Sequence, residues 1–97
     1  MRVHWTRPAL RRIDQHIAFI AQWSPSAGYQ MGQRVRQAVE NLIDHPLLGR
    51  EGRYIGTREL VVEGGRYIAV YRIRGQVVQI VTVHDARQEW PDDWKKA

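Results

Sequence analysis

Residues 57–84, TRELVVEGGRYIAVYRIRGQVVQIVTVH, decide the fold, because two glycine-bearing turns cut them into three strand-like runs. Valine, isoleucine, tyrosine and threonine dominate these runs, and such residues fit a pleated surface. The separators Gly64-Gly65 and Gly75-Gln76 each have the length of a tight hairpin loop. Strands are therefore expected at Thr57–Glu63, Arg66–Arg74 and Val77–His84, joined as an antiparallel meander. Loops this short also fix the register. Pairing Glu63 with Arg66 sets Val62 against Tyr67, Leu60 against Ala69 and Arg58 against Tyr71. Pairing Arg74 with Val77 sets Ile73 against Val78, Tyr71 against Ile80, Ala69 against Thr82 and Tyr67 against His84.

Alternation sorts the meander into two faces. One carries Val61, Ile68, Val70, Val77, Val81 and Val83, with Glu59, Arg72 and Gln79, and is expected to lie under helices. The other carries Arg58, Leu60, Val62, Tyr67, Ala69, Tyr71, Ile73, Val78, Ile80, Thr82 and His84. Both faces are apolar in the middle, so both need cover. The second face is expected to be closed by the tail 85–97, with Trp90 and Trp94, or by a partner protein.

Working outward, Arg2–Thr6 reads as a short strand, and Thr6 as the cap of a helix that tolerates Pro8 in its first turn. Leu10, Ile13, Ile17 and Ile20 repeat at the helical spacing and give it one apolar stripe. Pro25 stops this helix near Trp23. Ser24 then caps a second helix, striped by Met31, Val35, Ala38 and Leu42 and ending at Asp44-His45-Pro46. Residues 47–54 read as loop. The expected fold class is α+β: a strand, an antiparallel helical hairpin, then the three-stranded meander. At 97 residues one domain, 1–97, is expected.

Fifteen Lys+Arg against ten Asp+Glu give a net charge of +5, and thirteen of the basic residues are arginine. An excess of this kind suits an anionic partner, and arginine favours planar, multi-donor contacts. Solubility alone is the blander explanation. The chain has no cysteine, which excludes disulfides and thiolate metal sites. His4, His16 and His45 show no metal-ligand spacing, and neither a metal nor another cofactor is expected. The opening residues lack a long apolar run, so a cytoplasmic protein without membrane contact is expected.

Four local strings add a family resemblance across nearly the whole chain. Pro8-Ala9-Leu10-Arg11-Arg12-Ile13 resembles the first helix of the RelE/ParE toxin superfamily, and His45-Pro46-Leu47-Leu48-Gly49-Arg50 its exit from the second. Tyr67-Ile68-Ala69-Val70-Tyr71-Arg72-Ile73 is similar to the central strand, and Val81-Thr82-Val83-His84-Asp85-Ala86-Arg87 to the last strand with its His-x-x-Arg ending. The resemblance implies the toxin of a type II toxin–antitoxin pair, wrapped by a flexible segment of its cognate antitoxin. RelE-like members cut ribosome-bound messenger RNA; ParE-like members poison DNA gyrase without a known catalytic set.

Cleavage by 2′-OH attack needs an acid, a base and cations at the phosphorane. The candidates are His84 with Arg58, Arg66 and Arg87, forming a metal-independent endoribonuclease. His84 titrates near neutrality when unperturbed, but a strand-end histidine that binds a partner or caps the sheet serves equally. Two points oppose cleavage. RelE-like enzymes typically carry an arginine three residues before the central-strand tyrosine; here that position is Ile68, expected in the core. The register also separates Arg58 from His84 by roughly 13 Å along the strand. The strings look more ParE-like, so gyrase is the expected target and a catalytic role is disfavoured. Target contacts are then expected from His84, Arg87, Arg58, Tyr67 and Tyr71, within and around 81–87, and antitoxin contacts from Leu60, Val62, Ile80, Trp90 and Trp94. Strand tyrosines are more commonly packing residues. A non-toxic nucleic-acid-binding module is the third possibility, and no helix–turn–helix or other docking motif supports it.

Overall fold

The computed structural model of the chain describes residues 1–90. Strand β1 spans Arg2–Trp5, helix α1 Arg7–Ala21, helix α2 Pro25–Glu40, and strands β2 to β5 Arg50–Glu51, Arg58–Val62, Tyr67–Arg74 and Val77–Asp85. The five strands form one sheet in the order β1-β5-β4-β3-β2. Strand β1 runs parallel to β5, and the remaining neighbours are antiparallel.

Both helices start where their caps dictate. The Thr6 hydroxyl accepts from Ala9 N at 3.3 Å, and Ser24 Oγ accepts from Ala27 N at 3.2 Å, with a proline in each first turn. Ile13 is fully buried, and Ile17 and Ile20 pack against the core. Leu10 is exposed, because the stripe is centred on Ala9 and Ile13 and Leu10 falls beyond its edge. Helix α2 contributes Met31, Val35 and Val39, and it stops at Glu40, short of the expected Asp44. The following turn still buries Leu42. Arg50–Glu51, expected as loop, forms a two-residue edge strand on β3.

The β3–β4 register is as expected, with Arg58 opposite Tyr71, Leu60 opposite Ala69 and Val62 opposite Tyr67. Glu63 leaves the strand, and the chain turns with Gly64 and Gly65 at φ of 63° and 94°, a backbone region that suits glycine. Between β4 and β5 the expected register holds from Arg74–Val77 to Tyr71–Ile80 and then shifts by one residue. Val70 faces Thr82, Ala69 faces Val83, Ile68 faces His84 and Tyr67 faces Asp85. This is a β-bulge, with Val81 as the extra residue. It sits against the start of α1. Strand β1 stops pairing at Trp5–Ile80, and the Thr6 hydroxyl then donates towards Ile80 O and Val81 O at 2.8 and 3.2 Å. One side chain thus caps the helix and occupies the two carbonyls that the bulge turns towards it.

The bulge and the helices correct the expected faces. Helices α1 and α2 cover the side carrying Leu60, Val62, Tyr67, Ala69, Tyr71, Val78 and Ile80, and the register shift adds Val83 to it. Ile68, Val70 and Val81 form a smaller cluster on the opposite side, with Tyr54 and Trp90 packed against them. Ile68 therefore faces away from the helices, beside His84. The face expected under the helices is thus the outer one: both faces are apolar, and the helices take the side with the two tyrosines.

Candidate functional site

The bulge turns His84 onto the outer side of the sheet and Asp85 onto the helix side, so the end of β5 presents different chemistry in each direction. On the outer side, His84 is 5% exposed and its Nε2 donates to Gln88 O at 2.9 Å. The indole of Trp90 stacks on the imidazole with ring centres 3.9 Å apart and planes at 23°. The guanidinium of Arg53 lies over the same indole, 3.6 Å from its centre, and Tyr54 meets it edge-on. Burial, followed by the charges of Arg53 and Arg12, lowers the histidine pKa against the opposing pull of Gln88 O and Asp85. The ring is thus neutral at pH 7 and donates one N–H to a carbonyl.

Glu59 fastens the loop that delivers Arg53 and Tyr54. One carboxylate oxygen accepts from Arg50 Nη2 at 2.9 Å, and the other accepts from the backbone N and Nε of Arg53 at 3.0 and 3.1 Å. Burial pushes this carboxyl's pKa up, but the hydrogen bonds from Arg53 and Arg50 together hold it below the usual value.

On the helix side, Asp85 accepts from Arg87 N and Nε at 2.9 and 3.1 Å and from its Nη2 at 2.9 Å. Those bonds hold the aspartate at about 2 and raise the Arg87 pKa. His16 of α1 donates from Nε2 to Val83 O at 2.8 Å, and its ring lies 5.0 Å from that of Tyr67. Burial lowers its pKa, with Arg12 and Arg66 adding to the effect. A cleft of about 220 Å³ opens between α1 and the β5 end, lined by Arg12, His16, Tyr67, Asp85 and Arg87 among others.

The expected site residues do not converge. Arg58 is on the helix side at the opposite end of the meander, where Nη1 donates to Gly49 O at 2.7 Å. Tyr71 is fully buried; its hydroxyl donates to Pro46 O at 2.7 Å and accepts from Gly49 N at 2.8 Å. Tyr67 is 1% exposed and has no free face for a base. Leu60, Val62 and Ile80 lie under the helices and offer no surface to a partner. Strand residues Val81–Asp85 are also buried, leaving the following turn, with Arg87, as the exposed part of the 81–87 stretch. Arg66 sits in the hairpin turn, its guanidinium 5.6 Å from the Tyr67 ring centre. Trp90 is partly exposed on the outer side, and Trp94 lies outside the described residues.

Sequence reasoning missed Arg53, Glu59 and His16. The first two meet only because β2 folds the 50–54 loop over β3, which no local spacing announces. His16 had a signal: it falls between Ile13 and Ile20 on the buried stripe, and a polar ring there requires a partner. Among the described residues, no group of three or more His, Cys, Asp or Glu is placed to hold a metal, and no helix is long and apolar enough to cross a membrane.

A family model described as "ParE toxin of type II toxin-antitoxin system, parDE" matches residues 3–90. The chain belongs to the ParE toxin family. It is 43% identical over 90 residues to "Putative toxin Y4kP" of Sinorhizobium fredii (strain NBRC 101917 / NGR234), covering 93% of each chain. A solved chain of the "Chromosomal ParDE TA system from P. aeruginosa" shares its fold, with a TM-score of 0.77 at 24% identity over 88% of this chain and 95% of that one. As a ParE toxin it is the toxic member of a type II pair, and the family implies a cognate antitoxin as its partner.

The corrected geometry reopens the question of RNA cleavage, since Ile68 lies beside His84. The position where RelE-like enzymes carry arginine is therefore outward, but the side chain is apolar and 5% exposed beneath the tyrosine and indole rings. His84 is sealed by Trp90, and Glu59 is neutralised by two arginines. Among the described residues, neither group on this face is open to solvent as an acid or a base.

Proposed function

We propose that this ParE toxin, when free of its antitoxin, arrests bacterial growth by inhibiting DNA gyrase through surface contact, without cutting RNA. The observation that carries the reading is the state of His84. General acid–base catalysis requires a group that can reach the reacting oxygen and exchange its proton. Here the imidazole is neutral, buried and hydrogen-bonded to a main-chain carbonyl under an indole. Contact by the exposed turn after β5, with Arg87 and neighbouring arginines, needs no proton transfer. Action on gyrase under the control of an antitoxin implies work in the cytoplasm.

Purified toxin titrated into a gyrase supercoiling reaction tests this directly. Loss of supercoiling is expected, with no codon-positioned cuts in a message translated in a cell-free system. Intact supercoiling together with ribosome-dependent cuts that disappear in His84→Ala would assign the protein to RNA cleavage.

A further inference from the structure

The outer side of the sheet changes character along its length. Towards the end of β5, Tyr54 and Trp90 cover it. At the β4–β5 hairpin it lies open, with Arg2, His4 and Arg74 exposed. Alternation places the side chains there. Val3, Trp5, Ile73, Val78 and Ile80 belong to the core under the helices. Their strand neighbours Arg2, His4, Arg72, Arg74, Val77 and Gln79 therefore point outward. The register brings these together: Arg74 and Arg2 both pair with Val77, and Arg72 and His4 both pair with Gln79.

The charge of this patch is unbalanced. Among the described strand residues on the outer side, the one carboxylate is Glu59, and Arg50 and Arg53 already hold it at 2.9 and 3.1 Å. Arg2, Arg72 and Arg74 have no carboxylate at ion-pair distance among the described residues. Arg72 Nε donates to Gln79 Oε1 at 2.7 Å, which holds its guanidinium along the sheet. Burial, followed by the charge of Arg74, lowers the Arg72 pKa. The two guanidiniums thus repel each other, and an anionic partner relieves that repulsion.

Spacing selects the kind of anion. Arg72 and Arg74 are two residues apart, roughly 7 Å along β4, and Arg74 and Arg2 are two strands apart, about 10 Å. Cations so separated suit successive phosphates of a polymer better than one small anion. Phenylalanine, tyrosine and tryptophan are missing from the patch, so unpaired bases have no ring to stack on, as they do on single-strand binders. Val77 is half-buried and gives an acidic peptide little apolar anchorage.

We propose that the hairpin end of the outer sheet face, with Arg2, Arg72 and Arg74, binds the phosphate backbone of duplex DNA without reading its sequence. His4 and Gln79, between the arginines, add uncharged polar contacts to the same backbone. The surface is separate from the turn after β5 that the reading above assigns to gyrase, and it needs no enzyme. With both surfaces, one toxin holds enzyme and DNA at once.

Anisotropy of a short, fluorescently labelled, mixed-sequence duplex titrated with the full chain tests this. Three phosphate contacts predict that affinity falls roughly 40-fold between ~50 and ~200 mM salt. Arg2→Gln/Arg74→Gln changes two exposed side chains and leaves one contact, so binding weakens and the fall over that range shrinks to roughly three- to fourfold. Arg72→Gln should weaken binding and lower the salt slope by about one contact. Arg36→Gln, exposed on α2, should bind as wild type does. The proposal is overturned if the duplex does not bind at ~50 mM salt, or if Arg2→Gln/Arg74→Gln keeps wild-type affinity and slope. Tighter binding of single-stranded DNA or polyglutamate of equal charge would also overturn it. Supercoiling is read in a separate assay, so failure of either result leaves the other standing.

Discussion

The two sides of the sheet are built on different physics. The helix side is a continuous apolar core from Val62 through Tyr67, Tyr71 and Ile80 to Val83, closed by Ile13, Val35, Val39 and Leu42. The outer side has a small apolar cluster of Ile68, Val70 and Val81, held down by Glu59 with its two arginines and by the Arg53–Trp90–His84 stack. Burial of area is strong and unselective in direction. Ion pairs and stacked rings that remain partly open to water contribute less, and they leave surface available for other proteins.

That contrast can be broken most severely at Tyr71. Tyr71→Ala removes a fully buried ring, and a loss of about 3–5 kcal/mol is expected in denaturant melts. Tyr71→Phe keeps the ring but leaves Gly49 N and Pro46 O without the hydroxyl that joins them, costing about 1–3 kcal/mol. Neither change touches the outer side. Equal losses from Tyr71→Phe and from Val61→Lys would dissolve the distinction.

On the outer side the effects are smaller. Glu59→Gln should cost about 1 kcal/mol, limited because the heads of Arg50 and Arg53 are open to solvent. Acid probes both sides without mutation, His84 and Glu59 on the outer side and His16 and Asp85 on the helix side. His16 and His84 have lowered pKa values, so the unfolded chain takes up protons first and stability falls as the pH drops below about 6.5. Glu59 and Asp85 are also lowered, Asp85 to about 2. Their contribution is complete above the unfolded carboxylate range and is lost as the pH falls through the folded values. Thermal melts from pH 8 to pH 3 should show both stages, and Asp85→Asn should flatten the lower one.

Much of this was legible in the chain. The helix caps at Thr6 and Ser24 and the register near both hairpins followed from residues whose chemistry admits few conformations. The bulge did not. Val77–His84 is built of good strand formers, and no glycine or proline marks Val81 as the residue that slips. The contact at the slip comes from Thr6, distant in sequence, whose hydroxyl meets the carbonyls of Ile80 and Val81. One shifted residue exchanged the faces of Thr82, Val83 and His84, and with them the expected site. Both faces of the meander were apolar, so alternation alone could not say which one the helices cover.

Removing the indole in Trp90→Ala should cost only about 1 kcal/mol, the scale of one aromatic pair. It should also raise the His84 pKa towards its ordinary value, visible in the imidazole proton resonances across a pH titration. Val61→Lys is the mildest test. That side chain is 44% exposed on the outer side, so stability should stay within about 0.5 kcal/mol of wild type.

The claim that His84 packs rather than reacts is tested most directly by inducing His84→Phe in bacteria without antitoxin. Phenylalanine keeps the ring stack on Trp90 but has no proton to give or take. Growth arrest equal to wild type is expected. A folded His84→Phe protein that leaves growth unaffected would contradict the account and return the imidazole to the chemistry of the toxin.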